Sequence, residues 1–306
     1  MPDWKPLELE DRDAVTQRLR RHPPRISEHT FTNLWVWGER RAVSWAMVGD
    51  SLVFRQQQDG ECSVLGPPRG PDSAADLLGE LAADGLHCFE RIPTETADAL
   101  REQGLTVQED RDNADYVYRR RDLVELPGRE YHRQKNLVNQ CLSSYECSYC
   151  AVTADLTGEL WDMQERWCEE RNCDKREGLC AERLAIRRAL DHFAELELTG
   201  GVVRIQGAVQ AYALGERLSP DTAAVHFEKA MTRFNGLYQV INRWFAEHGL
   251  EEFEFINREQ DLGIPGLRKA KESYHPHHMV DKHTAALEAE ALAQAAPAAR
   301  GRCGEG

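Results

Sequence analysis

Apolar positions recur at helical spacing in DSAADLLGELAADG and LTGELWDMQERWCEERN, and at every second residue in TAAVHFEKA. The first pattern predicts amphipathic helices and the second a half-buried strand. From the start of the chain, WKPLEL reads as strand-like, and a helix opens at Asp11 to Asp13, where carboxylates suit the positive end of the helix dipole. That helix ends near His22-Pro23-Pro24. SEHTFTNLWVWGERR follows, with Ser27 as N-cap and an aromatic face from Glu28 to Trp37. VSWAMVGDSLVFRQQ predicts a hairpin around Gly49-Asp50, closed by GPPRGPD. Asp72 or Ser73 then caps a helix that Gly85 terminates, HCFERIP is a strand and TETADALREQG a further helix.

DRDNADYVYRRRDLVELPG reads as a connection, after which the order of elements begins again. VNQCLSSYECSYCAV ends in a strand, and LTGELWDMQERWCEERN and CAERLAIRRALDHFAELE are helices. Gly200-Gly201 leads into the strands VVRIQGA, VQAYALGERL and TAAVHFEKA, then a helix, GLYQVINRWFAEHG, and a strand, FEFINRE. Helices, a meander, another helix and a strand predict an α+β fold with a mixed sheet at its core. At 306 residues the chain is about twice the usual domain size. The expected division is 1–128, 129–285 and a flexible tail at 286–306.

A hydrophobic fraction of 41% and a charged fraction of 29% are those of an ordinary globular protein. The net charge of −14 argues against a surface that attracts nucleic acid everywhere, and makes any local basic cluster more informative. No run approaches the roughly 20 apolar residues of a membrane span, and no leader is visible at the N-terminus, so a cytoplasmic location is expected. The nine cysteines are accordingly read as reduced thiols. Cys147-x-x-Cys150, followed by Cys168, Cys173 and Cys180, has zinc-like spacing but lacks a second close pair, and His275, His277, His278 and His283 read as a surface feature. No metal is expected. Walker loops, Gly-x-Ser-x-Gly elbows and His-Glu-x-x-His helices are missing from the sequence, which removes those enzyme classes.

Three blocks carry a family resemblance: ISEHTFTNLWVW at 26 to 37, DYVYRRRDLVELPGREYHRQKN at 115 to 136, and FNGLYQVINRWFAEHG followed by FINREQDLGIPGLRKAKESYHP. They resemble bacterial proteins grouped with the C-terminal domain of phosphatidylglycerol lysyltransferases. The resemblance implies two tandem GNAT-like halves, each a mixed, mostly antiparallel sheet flanked by helices, with the chemistry in the second half. It implies an acyltransferase with no tightly bound cofactor, its donor an aminoacyl-tRNA or an acyl-CoA and its acceptor an amine or hydroxyl on a small molecule, peptide or lipid. A catalytically silent binding module on the same fold is the alternative.

In acyltransferases of this architecture a strand-to-helix loop cradles the coenzyme pyrophosphate with backbone amides. Here that place holds Arg233 and Gly236, which fit, and Tyr238, whose bulk stands where a small residue is wanted; this favours the aminoacyl-tRNA branch. Alternation places His226, Glu228 and Ala230 on one strand face, with His226 or Glu228 as general base, and Val225, Phe227 and Lys229 on the other. At the exit of the last strand, Glu259 and Asp261 are candidates to hold an ammonium group, and Asn257 and Arg258 to bind substrate, Arg258 through a phosphate or carboxylate. Arg268, Lys269 and Lys271, with Arg133 and Lys135 at the junction of the halves, form the expected basic groove for donor phosphates. Backbone amides at a splay between central strands are expected to stabilise the oxyanion.

Overall fold

The structure is a computed structural model that describes residues 1–38, 40–58, 60–172 and 177–287. In the first half come strand β1 (Lys5–Pro6), helix α1 (Arg12–Arg21), α2 (Phe31–Val36), β2 (Ala42–Val48), β3 (Ser51–Gln58), β4 (Glu61–Leu65), α3 (Ala74–Ala83), β5 (Cys88–Pro93), α4 (Thr94–Glu102) and β6 (Thr106–Glu109). The second half carries β7 (Asp115–Arg119), α5 (Arg120–Glu125), α6 (His132–Ser144), β8 (Cys147–Ala151), α7 (Thr157–Arg171), α8 (Glu177–Asp191), β9 (Thr199–Ile205), β10 (Ala208–Arg217), β11 (Thr222–Ala230), α9 (Leu237–His248), β12 (Phe255–Asn257), α10 (Pro265–Glu272) and β13 (His278–Val280). The chain then returns to the first half as β14 (Lys282–Ala286).

The strands form two sheets of seven, in the orders β1-β2-β3-β4-β5-β14-β6 and β13-β7-β12-β11-β10-β9-β8. Each contains one parallel pair, β4 with β5 and β11 with β12, and each such pair is joined through a helix, α3 or α9. Every other pairing of named strands is antiparallel. The same crossover unit therefore occurs once per half, and the α+β architecture is that of tandem GNAT-like halves. One apolar core lies between the halves, where Leu19, Phe31 and Trp35 meet Trp167, Ile186, Tyr212 and Phe227. Separate cores pack α9 on the second sheet and α3 and α4 on the first.

Local chemistry explains several boundaries. Ser73 and Asp76 form a reciprocal capping box at the start of α3. Gly49, at φ +56°, turns the β2–β3 hairpin. The cap of the aromatic helix is Thr30, which accepts from the Asn33 amide at 3.1 Å; the expected cap, Ser27, instead donates its hydroxyl to Asp115 at 2.9 Å.

The segment expected to be a connection contains an interior strand of the second sheet, paired on both sides. In β7, Tyr116 and Tyr118 are fully buried, and their hydroxyls donate to Asp261 and to the carbonyl of Lys271. Flanking charges hid this strand, because a tyrosine with a buried partner for its hydroxyl packs like any apolar residue. The chain thus enters the second sheet before residue 128, and β14 from its other end lies between β5 and β6 of the first. His283 is in that strand, which runs to Ala286; of the tail expected to be flexible, 288–306 lies outside the described residues, as does Cys173. No helix among the described residues is long and apolar enough to cross a membrane.

Candidate functional site

Strand β11 pairs with β12 only from Thr222 to Ala224, against Phe255 to Asn257. Beyond that point the strands part, and side chains from the exit of β12 bridge the opening. Opposite, β11 meets β10 with a register shift: Leu214 faces Phe227 while Gly215 faces Val225. His226 is the extra residue of a β-bulge, and a bulge re-aims a side chain. Simple alternation therefore fails here. Phe227 packs into the core between the halves, but Val225 joins Ala230 in the core under α9.

The bulge points His226 at the first half. Its Nε2 lies 2.9 Å from Glu216 Oε1 and its Nδ1 2.7 Å from Glu259 Oε1, with the side chain only 3% exposed. Asn33 of α2 also donates to Glu259, at 3.0 Å, and Arg41 donates to Asn33. Burial opposes a charge on the imidazole, but the hydrogen bonds and charges of Glu216 and Glu259 outweigh it and push the pKa up to about 10. At neutral pH both ring nitrogens carry protons, so the general base expected at His226 has no lone pair to offer. Glu228, the other candidate base, accepts from Arg258 at 2.9 Å and Asn242 at 3.1 Å.

Asp261 is saturated. It accepts from Arg268 through two nitrogens, from Arg111, from the Tyr116 hydroxyl at 2.6 Å and from the Gly263 amide. Burial works against its charge, yet the bonds from Arg268 and Tyr116 hold its pKa well below the usual carboxylate range. No oxygen is left to grip an incoming ammonium. Asn257 is buried too, donating to Asp115 at 3.0 Å and accepting from the Glu259 amide at 2.8 Å, which fixes Glu259 at φ +56°.

The expected basic groove divides. Arg268 is bound to Asp261 and Asp112. Lys271 is buried and donates to the carbonyls of Arg258 and Glu259; burial, then the nearby Arg258 charge, bring its pKa down to about 8. Arg258 lies over the rings of Tyr118 and Tyr274, turned inward rather than toward a ligand phosphate. Lys269, Arg133 and Lys135 remain exposed. The histidines separate as well: His277 and His278 touch on β13 and its approach, His275 packs on Tyr131, and His283 belongs to the other sheet. No cluster among the described residues could hold a metal ion.

At the phosphate-loop position, α9 starts on Gly236 at φ +85°. A Cβ there would lie 2.2 Å from the carbonyl of Leu137, because α6 crosses directly over the loop. The amides of Leu237, Gln239 and Val240 already donate within the turn, Arg233 is held by Glu170 and Gln210, and the Tyr238 hydroxyl accepts from Trp167 at 3.2 Å. Gly236→Ala is expected to cost at least about 1–2 kcal/mol, since an L-residue is strained at that φ and the carbonyl belongs to a packed helix. Urea unfolding of the variant measures this.

Beside His226 lies a cavity of about 210 Å³ between α1, α2 and the β10–β11 turn, with Glu216, Thr30 and His29 among its lining residues. His29 is neutral: its Nε2 donates to the Leu65 carbonyl at 2.7 Å and its Nδ1 accepts from Arg69 at 2.8 Å, while burial and then the Arg69 charge keep its pKa well below the ordinary value. Sequence reasoning missed Glu216 and Thr30 because the contacts that bring them together cross 184 to 196 residues of chain. The available signal was the polar run Ser27-Glu28-His29-Thr30 in an otherwise aromatic segment.

The model of the phosphatidylglycerol lysyltransferase C-terminal family matches residues 19–286. The chain belongs to this family. A conserved protein of unknown function from Bacteroides thetaiotaomicron VPI-5482 is 33% identical, with a TM-score of 0.88 over 94% of this chain and 100% of the other. A C-terminal domain attributed to a lysylphosphatidylglycerol synthetase of Agrobacterium fabrum is 15% identical, with a TM-score of 0.68 over 93% and 94% of the two chains. A tandem GNAT protein from the clavulanic acid biosynthesis pathway is 10% identical, with a TM-score of 0.51 over 98% and 100%. The last two support the family's fold and nothing finer. No curated protein matches the chain.

Proposed function

We propose that this chain is an aminoacyl transferase that takes its acyl group from an aminoacyl-tRNA and passes it to an amine or hydroxyl acceptor. In that reaction the acceptor atom bonds to the ester carbonyl carbon and the bond to the ribose oxygen breaks. The acceptor's proton ends on the released ribose hydroxyl. The observation that carries the choice of donor is the covered loop at Arg233 to Tyr238: α6 packed over Gly236 and an Arg233 engaged by Glu170 and Gln210 leave little with which to cradle the pyrophosphate of an acyl-CoA. The family's fold and the lysyltransferase activity for which it is named support the class of reaction.

A silent binding module is the second reading, favoured by the saturation of His226 and Asp261 by internal partners. The test presents the purified protein with radiolabelled aminoacyl-tRNAs or acetyl-CoA and a panel of amines and aminoalcohols. Label is expected to move from aminoacyl-tRNA and not from acetyl-CoA. Saturable transfer from acetyl-CoA sinks the choice of donor, and transfer from neither leaves the silent module.

A further inference from the structure

The cavity beside His226 is lined by a carboxylate, Glu216, that no arginine or lysine among the described residues neutralises. Glu216 Oε1 is taken by His226 and by the Thr32 amide at 3.2 Å, whereas no hydrogen bond among the described residues reaches Oε2, and Glu216 lines the cavity. The only other acid in the lining is Glu197, which Arg12 and Arg20 already hold. Between these charges the wall is apolar, built by Leu19, Phe31, Leu196 and Leu218. Arg20, 63% exposed, and Arg217 add positive charge to the lining.

From this arrangement we infer that the cavity is the binding site for a neutral amino-acid moiety with an apolar side chain, its α-ammonium on Glu216. The inference rests on the aminoacyl reading above and names the group transferred. His226 occupies one oxygen of Glu216 and leaves the other as an acceptor, and a primary ammonium meets a carboxylate with directed, charge-assisted hydrogen bonds. A basic amino acid would bring a second ammonium to a cavity whose other acid, Glu197, already faces two arginines, and burying that ammonium without its own counter-charge is costly. Size agrees: about 210 Å³ is below the roughly 300 Å³ at which drug-sized sites begin and suits one residue.

Calorimetric titration of the whole protein with L-leucinamide, N-acetyl-L-leucinamide and L-lysinamide tests the inference without requiring turnover. Leucinamide is expected to bind at least about tenfold tighter than either competitor, the scale of one charge-assisted hydrogen bond. Glu216→Gln, which keeps an acceptor for His226, is expected to remove that preference over the acetylated compound. Leu218→Trp, which fills the cavity without touching His226, is expected to abolish binding and remains informative if Glu216→Gln fails to fold. Equal binding of the acetylated amide, tighter binding of lysinamide, or unchanged binding by Leu218→Trp overturns the assignment. Selective binding without transfer from aminoacyl-tRNA supports the site and sinks the transferase reading; transfer without selective binding does the reverse.

Discussion

Replacing Lys282 by methionine is expected to lower the unfolding free energy by roughly 3–5 kcal/mol, the cost of removing one partner from a buried ion pair. Lys282 is fully buried, and its Nζ lies 2.6 Å from both Glu28 Oε2 and Asp115 Oδ1. These groups come from three regions of the chain: the start of the aromatic segment, β7 of the second sheet and β14 of the first. Asp115 also accepts from the Ser27 amide and hydroxyl and from Asn257, so the cluster ties both halves to the strand that returns between them. Methionine keeps the length of the side chain, leaves Asp115 without its cation and leaves Glu28 with Arg91 alone, 3.6 Å from its Oε1. Urea unfolding at neutral pH checks the loss, and adding Asp115→Asn should recover part of it, because one orphaned charge is then gone. A loss within experimental error would mean that water reaches the cluster.

The ammonium of Lys282 also has a raised pKa: burial opposes its charge, but Asp115 and Glu28 outweigh burial. A raised folded-state pKa stabilises the protein fully below the unfolded value and is lost as pH rises through the folded one. This contribution is therefore retained at neutral pH and fails only in strong alkali.

His226→Ala is expected to cost a similar amount, roughly 3–5 kcal/mol, since it deletes the cation between two half-enclosed carboxylates. Its pH dependence is more diagnostic. With the folded pKa near 10 and the ordinary value 6.5, the stabilisation is complete below 6.5 and disappears progressively as pH climbs toward 10. Native stability should fall across that window, and the His226→Ala protein should show a flatter profile over it. Unfolding curves across the window check this, and the imidazole proton resonances of His226 should show no titration near neutrality. Titration at an ordinary pKa would return a free lone pair to the site and restore the general base.

Local sequence determined most of the helices and the meander. The capped helix Ala74–Ala83, the hairpin at Gly49 and the strands from Thr199 to Ala230 follow from periodicity, caps and turn residues, all of which act within a few residues. The resemblance blocks carried the tandem fold and the family. Tertiary structure alone decided the rest. Tyr116 and Tyr118 became core because Asp261 and the Lys271 carbonyl satisfy their hydroxyls, and Lys282 entered the first sheet because two carboxylates far away in sequence await it. The site changed most. One bulge in β11, opposite the Leu214–Gly215 step of β10, turned His226 out of its alternation and onto Glu216 and Glu259. The sequence by itself shows which residues can ionise, whereas their protonation depends on partners and burial that only the packed halves supply.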